Sequence, residues 1–301
     1  MDTGTSTIDR IASPPSRRTA AIAAALLVGL VGLTAATAGT DWPPPAAELS
    51  DADVRQAIAA IQDGLRDQRD PERGWDPARW TSSWGSRSQV GGYSALACLA
   101  LVRTGASPHA EGLAEAITQV RLAELEGIYA LATRVSLLAE LPPTLRTGLE
   151  ADVQRLVSSL HLETGGWNYR IGETRARRDN SLRQFGAMAL WDAAAAGVAI
   201  PPEAWANIDG AFIEAQRPDG GWNYTQNDEP SRGSMTAAAV ATLMITDEQV
   251  PATRRPATGP ADARRAAIDR GIRWLGRRFR TDENPGSGAW FFYYAYSIER
   301  V

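Results

Sequence analysis

Between residues 175 and 186 the chain reads RARRDNSLRQFG, and Asp179, Asn180, Arg183 and Gln184 bring a carboxylate, two amides and a guanidinium to the start of one expected helix. A guanidinium beside a carboxylate in a concave site binds anionic or hydroxylated ligands through charge-assisted hydrogen bonds. The same residues also read as helix-start chemistry. Ser181-Leu182-Arg183-Gln184 has the form of a capping box, with Asp179 and Asn180 as further cap candidates, and both readings stand at this stage.

Tyr129, Arg134 and the run Trp290, Phe291, Phe292, Tyr293, Tyr294 and Tyr296 are the other candidates for a ligand-facing surface. Ring faces attract cations and stack on sugars, although most aromatic clusters are core. Glu299-Arg300 reads as a solvated ion pair at a helix end.

Metal chemistry has little to work with. Cys98 lies inside the apolar stretch SALACLALV, His109 in the turn ASPHAEG, and His161 in a repeated turn, so no converging zinc set is expected. Neither common glycine-rich phosphate loop nor an aspartate-rich magnesium motif occurs, so no cofactor is expected. Asp51-Ala52-Asp53 opens an expected helix, where acids satisfy free N–H groups and the helix dipole.

The elements that must carry these residues come from a repeat. DQRDPERGWD (67–76), LHLETGGWNY (160–169), AQRPDGGWNY (215–224) and a worn NPGSGAWFFY (284–293) each sit between apolar stretches of helical period. Gln68 and Gln216 precede Trp75 and Trp222, and His161 takes the glutamine place ahead of Trp167. Glycines let the chain reverse tightly, the indole covers a neighbouring helix, and the glutamine amide is suited to open backbone groups at a helix end. The periodicity predicts outer helices near 51–69, 108–123, 147–160, 203–216 and 260–280. It places alanine-rich inner helices near 88–104, 127–141, 181–197, 233–246 and 290–301. The hairpin entering 126–141 has no tryptophan turn and begins with Tyr129 instead.

The chain has 301 residues with net charge −4, and its 31 basic residues are all arginine. No basic stripe is evident and no nucleic-acid partner is expected. A single cysteine excludes an intrachain disulfide. Residues 19–40 are uncharged, follow Arg17 and Arg18, and contain Ala36-Thr37-Ala38, which suits signal cleavage. The stretch is equally long enough for an uncleaved membrane anchor. Residues 1–40 are therefore expected to be a signal peptide or anchor and 41–50 a proline-rich linker, with the protein exported and either membrane-anchored or periplasmic/extracellular.

The Gln-to-Gly-Trp turns at 68–75 and 216–222, with the partial copy at 161–167, resemble the QW repeats of the prenyltransferase and squalene-cyclase superfamily. DNSLRQFGAMALWDAAAAGVAIPPEAW (179–205), GSMTAAAVATLMI (233–245) and YYAYSIERV (293–301) resemble bacterial envelope-associated prenyltransferase-like repeat proteins. The resemblance covers roughly residues 50–301. It implies an all-α fold over 51–301, an α/α toroid that forms a partial or open double-layered α/α barrel of about five helix pairs, apparently truncated at its C-terminus.

The resemblance does not fix an activity, because one fold hosts many. The Asp-x-Asp-Asp acid that class II cyclases use on alkenes is absent, and so is the Asp, Cys and His zinc set of protein prenyltransferases. The leading expectation is a non-catalytic binding or scaffold module of the cell envelope, engaging an envelope protein, lipid or glycan, with Tyr129, Arg134, Asp179, Arg183, Gln184, Trp290 and Tyr293 as ligand contacts. The alternatives are a terpene cyclase or prenyltransferase-like enzyme, or a glycan-degrading enzyme on an α/α barrel that uses Tyr129, Arg134 or His161 as acid and base.

Overall fold

Helices buried on one side and helices buried on all sides alternate along this chain, and that alternation sets its architecture. The computed structural model describes residues 50–78, 86–174, 177–226, 229–249 and 260–301. In chain order the helices are α1 (Asp51–Gln68), α2 (Gly92–Arg103), α3 (Leu113–Leu122), α4 (Ile128–Glu140), α5 (Leu149–Ser158), α6 (Asn180–Ala195), α7 (Pro202–Ala215), α8 (Gly233–Gln249), α9 (Pro260–Arg278) and α10 (Phe291–Ile298). Short 3-10 turns lie at Ser86–Gln89 and Pro143–Leu145.

Outer helices bury a single stripe: Leu113, Ala116, Ile117 and Val120 on α3, and Leu149, Asp152, Val153 and Leu156 on α5. That i, i+3, i+4, i+7 spacing is one face of a helix. Along α4, by contrast, every residue from Ala130 to Ala139 is buried. The inner helices α2, α4, α6, α8 and α10 pack each against the next, and α3, α5, α7 and α9 lie behind them. The described residues contain helices and isolated bridges but no β-strand. This two-layered arrangement is consistent with an α/α toroid, and all ten helix starts lie within about five residues of the expected positions.

The tryptophan turns hold the layers together by one repeated bond. Trp75 Nε1 donates to the Leu65 carbonyl, Trp167 Nε1 to Leu156 and Trp222 Nε1 to Phe212, each at 2.8 Å. The acceptors lie near the C-terminal ends of α1, α5 and α7, and both Trp167 and Trp222 are fully buried. Positive φ at Gly74, Gly165 and Gly220 provides the reversal.

A second bond links successive hairpins. Ile128 N–H, at the start of α4, donates to the Tyr169 carbonyl at 3.0 Å, and Asn180 N–H, at the start of α6, to Tyr224 at 2.9 Å. Gly233 N–H, at the start of α8, likewise donates to Pro285 at 2.7 Å. These N–H groups have no partner within their own helix, so the following turn acts as their cap.

The glutamine positions differ from one another. Gln216 Nε2 donates to the carbonyls of Gly220 and Ala267, both at 2.9 Å, and so ties the turn to α9. His161 Nε2 lies 2.8 Å from the Glu173 carbonyl, a local bond within its own turn. Gln68 is exposed at the end of α1, so the expected amide staple does not hold there. Trp290 also departs from the pattern: it is 57% exposed, in left-handed backbone (φ 66°), one residue before α10. In that repeat Asn284 and Pro285 make the contact with α8 instead, through Ser234 N–H and Gly233 N–H.

Among the described residues no helix is long and apolar enough to cross a membrane. The expected signal or anchor at 1–40 and most of the linker at 41–50 lie outside the described residues.

Candidate functional site

The N-terminal ends of α4 and α6 bring a carboxylate and several phenols together. Asp179 is the N-cap of α6: its Oδ1 accepts the Ser181 N–H at 2.9 Å and the Ser181 hydroxyl at 2.6 Å. Its Oδ2 accepts the Tyr169 hydroxyl at 2.7 Å. Tyr129 lies 2.6 Å from Ser181 Oγ. The seryl proton is committed to Asp179, so Tyr129 is the donor, and a chain of hydrogen bonds runs from Tyr129 through Ser181 to the carboxylate.

Aromatic contacts extend this group. The Tyr129 ring meets Phe185 edge-on at 4.9 Å and Tyr169 at 6.0 Å, and Phe185 lies 6.2 Å from Tyr293. Arg177 sits over the Tyr169 ring at 5.2 Å, and Arg232 over Tyr224 at 5.4 Å in the next repeat. Burial, reinforced by the charge of Asp179, holds the Tyr129 and Tyr169 hydroxyls well above the ordinary phenol range. Burial pushes Tyr224 up to about 12, with Asp179 again adding to it. Tyr293 is raised by burial and by its neighbours Tyr224, Tyr129 and Asp179. The carboxylate thus meets Tyr169 directly and Tyr129 through Ser181, and its charge bears on Tyr224 and Tyr293 as well.

Of the residues expected to contact a ligand, Tyr129, Asp179, Gln184 and Tyr293 come into this neighbourhood. Gln184 is fully buried; its Oε1 accepts the Tyr293 hydroxyl, and its Nε2 reaches Ser297 Oγ at 3.4 Å. It therefore ties α6 to α10 and does not reach back to complete a capping box. Asp179, not Ser181, is the cap.

Arg183, Arg134 and Trp290 are placed elsewhere. Arg183 donates to Asn180 Oδ1 at 2.7 Å and to the Thr164 carbonyl at 2.8 Å. Burial, with Arg178 adding, lowers its pKa to about 10. Arg134 holds Asp152 in a two-pronged pair at 2.7 and 2.8 Å and donates to the carbonyls of Val120 and Ala123. Both arginines join an inner helix to outer elements, so their donors serve the wall. Trp290 is exposed and lies in left-handed backbone. Arg134 and His161, two of the three residues considered for glycan cleavage, are thus engaged in bonds to the wall and to their own turn.

Tyr169 and Tyr224 border this cluster and are not among the candidates expected from the sequence. Their signal was the Trp-Asn-Tyr triplet that ends two of the repeated turns, taken as structural throughout. Cys98 is a fully buried free thiol. Among the described residues no three His, Cys, Asp or Glu side chains group so as to hold a metal ion.

This two-layered helical wall is an architecture found among type II terpene cyclases. The ent-copalyl diphosphate synthase from Streptomyces platensis aligns with a TM-score of 0.55 at 14% identity, over 94% of this chain and 49% of that one. The type II terpene cyclase MstE from Scytonema, in its apo form, aligns at 0.52 and 16% identity over 90% of this chain and 71% of its own. A variant of MstE in complex with the product merosterolic acid A aligns at 0.53 and 14%, over 97% and 88%. The chain spans about half the length of the first of these. At such identities the likeness shows the fold. No protein-family model and no curated protein matches the sequence.

Proposed function

We propose that the chain is a terpene-cyclase-like protein that takes an isoprenoid hydrocarbon against the aspartate and tyrosine cluster at the N-terminal ends of α4 and α6. The observation that carries this reading is the bonding of Tyr169 to Asp179 and of Tyr129 to it through Ser181, with Tyr293 joined to the group by way of Phe185, supported by the fold likeness to type II terpene cyclases. Ring faces present negative potential, and a nearby carboxylate deepens it, so the cluster suits positive charge developing on an alkene chain. Asp179 enters this scheme as the charge partner of the bound chain. Its oxygens already accept three hydrogen bonds, which is not the arrangement of an acid that starts a cation.

The test is incubation of the purified chain with squalene and with geranylgeranyl diphosphate, followed by mass-spectrometric analysis of the hydrocarbons. Cyclic product that disappears in Asp179→Asn and falls in Tyr169→Phe is the expected result. Unchanged substrate after prolonged incubation overturns the enzymatic reading.

One observation favours a second reading, a non-catalytic binding module. Every hydrogen bond to Asp179 also serves the fold, because Asp179 caps α6 through Ser181 and Tyr169 belongs to the interlocking turn. Under that reading an isoprenoid, an envelope lipid or a partner protein is retained without turnover. Export, with residues 19–40 as a signal or anchor, belongs to the same proposal. Fractionation of cells and N-terminal sequencing of the mature protein test it.

A further inference from the structure

The expectation of no basic stripe does not hold at α9: within a chain of net charge −4, residues 260–280 hold seven arginines against two aspartates, Asp262 and Asp269. Arg264 is buried in pairs with Asp209 and Asp247. The other six, Arg265, Arg270, Arg273, Arg277, Arg278 and Arg280, are exposed. Arg270 is engaged with Gln216, Arg278 lies over the Trp274 ring at 4.7 Å, and Arg280 pairs with Asp282 and Glu283. Among the described residues Arg265, Arg273 and Arg277 form no ion pair.

The same face carries apolar side chains in water. Ile272 is 43% exposed and Phe279, just past the end of α9, is 56% exposed, with Ile268 half-buried in line with them. The spacing 268, 272, 279 places all three along one edge of the helix with Arg265 beside it, while Arg273 and Arg277 lie about 100° and 140° further round from Ile272 on the exposed side, with Asp269 between. Ala267, Gly271, Trp274 and Leu275 form the buried face against the fold, which borders that apolar edge.

We propose that the outward face of α9 is a docking surface for an anionic lipid bilayer, on which the helix lies flat with Ile272 and Phe279 at the acyl boundary and Arg273 and Arg277 among the headgroups. Charge complementarity selects an anionic partner, and the exposed isoleucine and phenylalanine select a lipid interface over a nucleic acid, whose phosphate surface offers an aliphatic side chain nothing to bury in. The surface shares no residue with the Asp179 cluster or with the stretch 19–40, and the orientation it sets on the membrane is its own.

The test uses the full chain with one added cysteine carrying an environment-sensitive fluorophore. Cys98 does not compete for the label, being fully buried with its thiol pushed up to about 12 by burial. Labels are placed in Ile272→Cys, in Phe279→Cys and in Leu122→Cys on α3, a control site that is 73% exposed. Vesicles containing phosphatidylglycerol are expected to shift emission to the blue at 272 and 279 but not at 122, and phosphatidylcholine vesicles to leave all three unchanged. The shift is expected to be lost in about 0.5 M salt and in an Arg273→Glu/Arg277→Glu background whose helicity is unchanged by circular dichroism. No shift at 272 and 279, an equal shift at 122, or an equal shift on phosphatidylcholine overturns the proposal. So does an equal shift with duplex DNA, which marks a general polyanion surface.

Discussion

The ring of Trp167 lies directly on Gly186: a β-carbon built on that glycine would stand 2.4 Å from Cζ3 and 2.5 Å from Cη2. Glycine inside a helix is unfavourable by roughly 0.5–1 kcal/mol relative to alanine, so α6 retains it here because the indole fills the space. Gly186→Ala is expected to destabilise by about 2–3 kcal/mol through overpacking against a ring held by its own hydrogen bond to Leu156. Gly210→Ala, in α7 with nothing within 4 Å of the added carbon, is expected to stabilise slightly. Urea unfolding of the two variants reads both signs.

Three of the four tryptophan turns were legible from spacing because the physics of the turn resides in few residues. A glycine with positive φ and an indole that must reach a helix-end carbonyl fix one another. The fourth misled for an equally local reason. Trp167 and Trp222 are followed by Asn-Tyr and a loop before their inner helices at 180 and 233, whereas α10 begins at 291, immediately after Trp290. Alignment on tryptophan alone cannot see that Asn284 and Pro285 have taken over the contact. The site was half legible. Asp179 and Tyr129 stood out by type, but Tyr169 was hidden in the turn, and Arg183 and Gln184, adjacent in sequence, point into different neighbourhoods.

The glutamine positions make a paired prediction. Gln216→Ala removes bonds to two backbone carbonyls and to Arg270, and is expected to cost about 1–3 kcal/mol. Gln68→Ala, at an exposed position, is expected to fall within about 0.5 kcal/mol of the parent. Equal losses from thermal melts would show that the two repeats are held in the same way after all.

The Arg134 pair carries its own test. Arg134→Met leaves Asp152 buried with Arg155 as its remaining partner at 3.4 Å, and a loss of about 3–5 kcal/mol is expected. Arg134→Met with Asp152→Leu is expected to recover most of it, because no uncompensated charge remains. Denaturant titration of the single and double variants separates this from a role in ligand contact, which would leave stability unchanged.

The phenols around Asp179 set an alkaline limit. Tyr224 is pushed up to about 12, mainly by burial, and Tyr129, Tyr169 and Tyr293 are raised as well. A phenol whose folded pKa exceeds its unfolded value of roughly 10 holds its proton more tightly in the native state. It therefore adds stability that is fully present below that pH and is lost as pH rises through the folded value. Stability is expected to fall steeply above about pH 10, with tyrosinate absorbance appearing together with unfolding. In Asp179→Asn the neighbouring charge is gone, and the same absorbance is expected at lower pH.

Because the opening amide of α4 is answered by Tyr169, that of α6 by Tyr224 and that of α8 by Pro285, these three hairpins are not finished by their own residues. During synthesis each unit waits for the next to leave the ribosome before its last donor is met. Damage to one turn is accordingly felt upstream, in the rod that was made before it.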